Sequence, residues 1–186
     1  MKPRRHRSLG QSLVEFTLVG IPIVFVLISI FEISRGMWMF HTLAYAAKAG
    51  IRYATVHGFN CTQSPNACSV TIGPYSNNAA DCTTVPPSSN LTLATVIWCA
   101  GVGLDPDTTQ LTFTDGLGVK TTCYLSACTA TPNPWPPASA NLVGYTISVQ
   151  ITAPFKSALA MFWPGARPVS FTQTLFPASS SDTIKF

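Results

Sequence analysis

Two residues near the start of this chain, Gly10 and Glu15, have the types and spacing that could do chemistry. The glycine closes a basic run, Arg4-Arg5-His6-Arg7-Ser8-Leu9-Gly10, and the lone acid follows five positions later, just ahead of the apolar residues 16–31. This order predicts a chain that enters a membrane, is cut at its N-terminal edge and keeps one carboxylate at the bilayer boundary. An ionised carboxylate there costs on the order of 3 kcal/mol unless it is paired. No base within the apolar segment is placed to pair with it, because Arg35 and Lys48 lie far along the axis. Cleavage after Gly10 would create an α-amino group at Gln11, four residues from Glu15. Glu15 is either an interfacial glutamate with its head in water or, in a parallel stack of such helices, meets that amine on a neighbour. In the stack the charge is neutralised and the axial stagger is set.

Other chemistries find little support. Six cysteines (Cys61, Cys68, Cys82, Cys99, Cys123, Cys128) all follow the apolar segment. An even count confined to one side of a membrane segment implies disulfides in an oxidising compartment. Structural zinc wants tight pairs such as C-x2-C with histidines nearby. The intervals here are 6, 13, 16, 23 and 4 residues, and His6, His41 and His57 all precede the first cysteine. Six cysteines allow fifteen pairings. Sequence proximity alone favours Cys61–Cys68, Cys82–Cys99 and Cys123–Cys128. There is no nucleophile elbow, no phosphate-binding loop and no histidine beyond residue 57. Asp105-Pro106-Asp107 reads as a solvated turn, since calcium needs six or more oxygens. The chain is therefore not expected to be an enzyme, and no cofactor or metal is implied.

The elements that position Gly10 and Glu15 follow from charge and hydropathy. Lys2, Arg4, Arg5 and Arg7 precede Gly10, and from Gln11 onward seven basic residues balance seven acidic ones. A neutral body argues against nucleic acid as partner, and the basic head reads as a cytoplasmic anchor. Residues 16–31 span about 24 Å as a helix, short of the ~30 Å hydrocarbon core. A transmembrane part at about residues 13–40 makes up the length, provided Glu32 is neutralised or interfacial, and Pro22 with Gly20 marks a weak point. Beyond it, Leu43, Ala47, Ile51 and Ala54 share one helical face, and His57-Gly58 is a stop. Three parts are expected: a leader at 1–10, a long helix at 11–57 and a disulfide-bonded, β-rich extracytoplasmic domain at 58–186.

Within that domain, residues 91–99 read as a buried strand. Residues 111–114 and 118–124 read as a hairpin around Asp115-Gly116. Residues 131–137 read as an extended loop. Residues 145–152 alternate as a half-buried strand, with Tyr145, Ile147, Val149 and Ile151 on one side. Residues 169–175 should pair with it, and the apolar connection through Phe155, Leu159, Met161, Phe162 and Trp163 is read as core. The 43–54 helix is the natural cover for this sheet. The fold class is α+β, a long N-terminal helix packed on a small antiparallel sheet.

The leader Gly10-Gln11-Ser12-Leu13-Val14-Glu15-Phe16 resembles class III (prepilin-type) signals. Together with Pro22, Glu32 and Ala46-Ala47-Lys48-Ala49-Gly50-Ile51-Arg52-Tyr53-Ala54, it is similar to the TadE-like pseudopilins of the tight-adherence (Tad/Flp) pilus. Val149-Gln150-Ile151-Thr152-Ala153-Pro154-Phe155 resembles that family's final strand, whereas residues 59–137 have no match. The resemblance implies a pilin-like fold and cleavage between Gly10 and Gln11 by a prepilin peptidase, with Glu15 as the assembly carboxylate. It implies a role in pilus assembly, with a related minor pseudopilin, the Flp major pilin and an inner-membrane assembly platform as partners. The protein would sit in the inner membrane with its N-terminus cytoplasmic. The competing reading is a secreted or membrane-anchored, disulfide-bonded binding protein whose ordinary signal peptide is cut before Met37.

Overall fold

A computed structural model describes residues 9–56, 70–78, 82, 91–129, 135–155 and 174–185. Its elements are α1 (Leu9–Val56), α2 (Leu93–Ala100), β1 (Gln110–Thr114), β2 (Lys120–Tyr124), β3 (Thr146–Phe155) and β4 (Thr174–Thr183). The four strands form one antiparallel sheet in the order β2-β1-β3-β4. One face of that sheet and the upper part of α1 enclose the core. This is the α+β arrangement expected of the chain.

Helix α1 is helical throughout, including across Pro22. Its lower part carries hydrocarbon on every side: Phe16, Leu18, Ile23, Leu27 and Phe31 are all exposed. Hydroxyls on this stretch turn inward onto their own backbone. Thr17 donates to the Val14 carbonyl at 3.0 Å, Ser29 to Phe25 at 2.8 Å and Ser34 to Ile30 at 2.9 Å. Each side chain thereby satisfies its own donor within the helix, which is what a lipid environment demands. The helix is long and apolar enough to cross a membrane.

Above residue 42 the same helix becomes one-sided. Leu43, Ala46, Ala47, Ile51 and Ala54 are buried, while Lys48 and Arg52 are exposed. The buried face meets Leu111, Phe113, Ile147, Val149, Ile151 and Ala153 from the sheet. The opposite face of the sheet is polar, with the Thr112 and Thr122 hydroxyls 3.2 Å apart across β1 and β2. The predicted cover of the sheet by the 43–54 helix is found.

The hairpin forms where expected, but its loop runs over five residues between the paired Thr114 and Lys120. Asp115 organises it: its Oδ1 accepts from the backbone N–H of Leu117 and of Val119, each at 2.9 Å. Gly118 supplies the positive φ the loop needs, +83°.

The buried-strand reading of residues 91–99 is wrong, because Leu93–Ala100 is a helix. Thr92 caps it, its Oγ1 accepting from the Thr95 N–H at 3.2 Å. Leu93, Ala94 and Ile97 are buried at helical spacing. Short apolar runs do not reveal their period, so the cap was the signal that mattered.

The partner of β3 also lies later than expected, at Thr174–Thr183 instead of residues 169–175. Its serine run and Pro177 disguise it, yet both suit an edge strand. Residues 169–173 and the connection through Leu159 and Trp163 lie outside the described residues, as do residues 1–8 and His57-Gly58. The loop at 131–137 does more than connect. Trp135 is buried and meets the Phe113 ring edge-on, 5.3 Å between centroids.

Candidate functional site

Gly10 and Gln11 lie in the first turns of α1, and both are exposed. A Cβ at Gly10 would meet nothing within 4 Å, so the peptide between them is open to an approaching protein. Glu15 is one turn further on and also exposed. The Gln11 side-chain amide donates to Glu15 Oε1 across 3.4 Å, a long and solvent-facing hydrogen bond. Gly10, Gln11 and Glu15 lie in the first turns of one helix, and the carboxylate has no cation within its own chain among the described residues.

The second acid of the helix behaves differently. Glu32 lies 17 residues beyond Glu15, about 25 Å along the axis. It is only 6% exposed. Arg35, one turn on, donates through Nη1 to Glu32 Oε1 at 3.0 Å. The Arg35 guanidinium carbon also lies 5.5 Å from the centre of the Phe155 ring. Phe155 and Phe176, from the ends of β3 and β4, sit 5.2 Å apart and approach Gly36. Among the described residues, Glu32 Oε2 has no hydrogen-bond partner. At this pair the sheet-bearing domain that follows α1, here called the head, meets the helix through Phe155. The i,i+3 spacing of acid and base was its signal in the sequence.

A groove of about 650 Å³ opens at the same place. Its wall runs from Ile33, Met37 and Phe40 on α1 to Phe155 and Phe176 on the sheet, and Glu32 lines it too.

The head is tied by Cys82–Cys99 and Cys123–Cys128, with Cα atoms 5.4 Å and 5.1 Å apart. The first anchors the segment before α2 to that helix, and the second closes the turn after β2. Cys61 and Cys68 lie outside the described residues. The carboxylates of the head serve turns: Asp105 Oδ1 accepts from the Asp107 N–H at 3.1 Å. Among the described residues, no three His, Cys, Asp or Glu side chains are grouped to hold a metal ion.

Residues 10–52 match the family model described as TadE-like protein. The matched stretch is α1 from Gly10 to the face that covers the sheet, which bears out the resemblance to TadE-like proteins read from those residues. No curated protein and no solved structure matches the chain.

Proposed function

We propose that this protein is a minor pilin-like subunit of a Tad/Flp pilus, acting in pilus assembly or initiation and in adhesion. A prepilin peptidase removes residues 1–10, and the new amine at Gln11 engages Glu15 of a neighbouring subunit. That neighbour is a related minor pseudopilin or the Flp major pilin, and assembly proceeds from an inner-membrane platform. The mature chain sits in the inner membrane, with its disulfide-bonded head on the extracytoplasmic side.

One observation carries this reading. A single helix runs from an open Gly10–Gln11 peptide, through a hydrocarbon-coated shaft bearing one unpaired carboxylate, into the core of the head. The TadE-like match covers that same helix. Such a shaft can stack in parallel with its copies, and Glu15 then fixes their stagger through charge.

The alternative, an ordinary signal peptide cut before Met37, fits the fold less well. Residues 36 and 37 lie mid-helix. Cleavage there would strip the head of Glu32 and Arg35, which its phenylalanines cover.

Intact mass of the membrane-extracted protein tests the proposal. A start at Gln11 is expected, and a start at Met37 supports the alternative. Gly10→Leu should leave residues 1–10 attached. Glu15→Gln should be cleaved normally yet abolish surface pili, because an amide offers the amine no opposite charge. Normal piliation with that variant removes the assembly role of Glu15.

A further inference from the structure

The two acids of α1 cannot both lie at a membrane boundary. Glu15 and Glu32 are about 25 Å apart along the helix, and the hydrocarbon core is ~30 Å thick. One of them must enter it by about one turn, and any tilt of the helix adds to the shortfall. A carboxylate is tolerated there only when it is paired and kept from lipid. Glu15 meets neither condition, being exposed and without a cation of its own chain among the described residues. Glu32 meets both. Arg35 Nη1 donates to its Oε1 at 3.0 Å, and Oε2 is buried, so little charge faces outward. Arg35, one turn further out and 46% exposed, can carry its remaining donors toward the headgroups. With Glu15 at the inner boundary, the outer boundary falls about 30 Å further along, at Arg35.

That depth carries one end of the sheet with it. Phe155 lies 5.5 Å from the Arg35 guanidinium carbon, and both it and Phe176 approach Gly36. Leu175, next to Phe176 and paired with Pro154, is 62% exposed. The outer face of the sheet changes character at the same height. Its cross-strand pairs run Pro154–Leu175, Thr152–Pro177, Gln150–Ser179 and Ser148–Ser181, from apolar to hydroxyl and amide within two steps. The one charge on β3 or β4, Asp182, lies at the far end. We propose that Glu32 is the acid that enters, and that the outer leaflet closes over this rim. Phe155, Leu175 and Phe176 then sit in the membrane interface, and the head rests on the bilayer instead of standing clear of it. The headgroup layer adds about 5–7 Å beyond the core, the rise of residues 36–40. Exposed Met37 and Trp38 fall within it, where an aromatic belt belongs. The rim is continuous with the hydrocarbon-coated shaft. The inference rests on α1 spanning the membrane, as the proposed function has it, and not on cleavage at Gly10.

The test uses the full-length, oxidised protein, one copy per phosphatidylcholine nanodisc. Val24→Cys, Leu175→Cys and Leu117→Cys each carry a fluorophore, and the parent chain sets the labelling background. Val24 lies mid-shaft, Leu175 on the rim and Leu117 in the β1–β2 loop at the other end of the sheet, all more than half exposed. Lipids bearing a nitroxide high on the acyl chain or near its end quench the label by depth. The deep nitroxide should quench at Val24, the shallow one at Leu175, and neither at Leu117. Arg35→Gln leaves Glu32 unpaired, so α1 should shift until that acid reaches the headgroups and the Leu175 label loses its quenching. Adding Glu32→Gln removes the charge and should restore it. Peptide mapping of Cys82–Cys99 and Cys123–Cys128 checks that each variant has folded.

A Leu175 label that neither nitroxide reaches, beside a Val24 label quenched from the bilayer centre, sinks this inference alone. A Val24 label untouched by both sinks the membrane span and the proposed function with it. Rim quenching that survives Arg35→Gln overturns the entry of Glu32 as a pair. A rim label shielded only when a second copy shares the disc overturns the proposal in favour of a subunit contact.

Discussion

Gly50 shows how closely α1 and the head depend on single atoms. A Cβ at this position would lie 2.8 Å from Ile97 Cγ1 and 3.1 Å from its Cδ1, closer than packed carbons sit. In an exposed helix, replacing glycine by alanine gains up to about 1 kcal/mol. Here overpacking of a β-branched neighbour outweighs that gain, and Gly50→Ala should destabilise the head by about 1–2 kcal/mol. Ile97→Val keeps Cγ1 and shortens the chain beyond it, so the double variant should recover only part of the loss. Denaturant midpoints of the oxidised, detergent-solubilised protein measure both, and an unchanged midpoint for Gly50→Ala contradicts the tight α1–α2 contact. The two acids of α1 make the same point about context. Glu15 is solvent-facing with a weak amide contact, whereas Glu32 is buried against an arginine and an aromatic ring. Identical side chains thereby sit in different surroundings, Glu15 with no cation of its own chain among the described residues and Glu32 held by Arg35.

Among the elements, α2 depends most on its first residue. The Thr92 hydroxyl donates to the Pro74 carbonyl at 2.7 Å and accepts from the Thr95 N–H at 3.2 Å. It thus caps the helix and holds the preceding segment at once. Thr92→Ala should cost about 2 kcal/mol, a helix cap plus one buried hydrogen bond. Thr92→Ser, which keeps the oxygen, should cost well under half as much by the same denaturant midpoint. A serine variant as weak as the alanine one would assign the effect to the lost methyl group instead. The history of this helix also shows what the sequence could and could not disclose. The sheet-covering face of α1 and strand β3 were legible, because their apolar residues repeat over several periods. Leu93–Ala100 was not, since eight residues without charges fit a strand as well as a helix, and only the cap at Thr92 separates them. Strand β4 was obscured for a different reason. Of its inward positions Phe176, Ala178 and Ser180 only the first is large and apolar, so no alternation stands out, and pairing with β3 defines them. For Glu32 the sequence shows the need for neutralisation and an arginine at i+3, but not that Phe155 lies against that arginine, because the ring comes from the far end of β3.

At the scale of the whole molecule, charge divides the chain into two sides. Four cations precede Gly10, and Arg35, Lys48 and Arg52 follow the apolar shaft before the sheet begins. Basic residues near a membrane segment prefer the cytoplasm, and each side competes for it. In the orientation proposed above the leader would prevail by count, and the cysteines would reach an oxidising compartment, as the disulfides Cys82–Cys99 and Cys123–Cys128 require. Replacing Lys2, Arg4, Arg5 and Arg7 together with Gln removes one side of that contest while leaving three cations on the other. A substantial share of chains should then insert reversed, with the head in the cytoplasm and its thiols reduced. Alkylation before and after reduction reads this directly. In the parent, the four cysteines of the two described disulfides should react only after reduction. In the charge-depleted chain a second population should label without it, and Lys48→Gln with Arg52→Gln in the same background should shrink that population. If the leader only marks a cleavage site, labelling will match the parent, and orientation must come from the folded head instead.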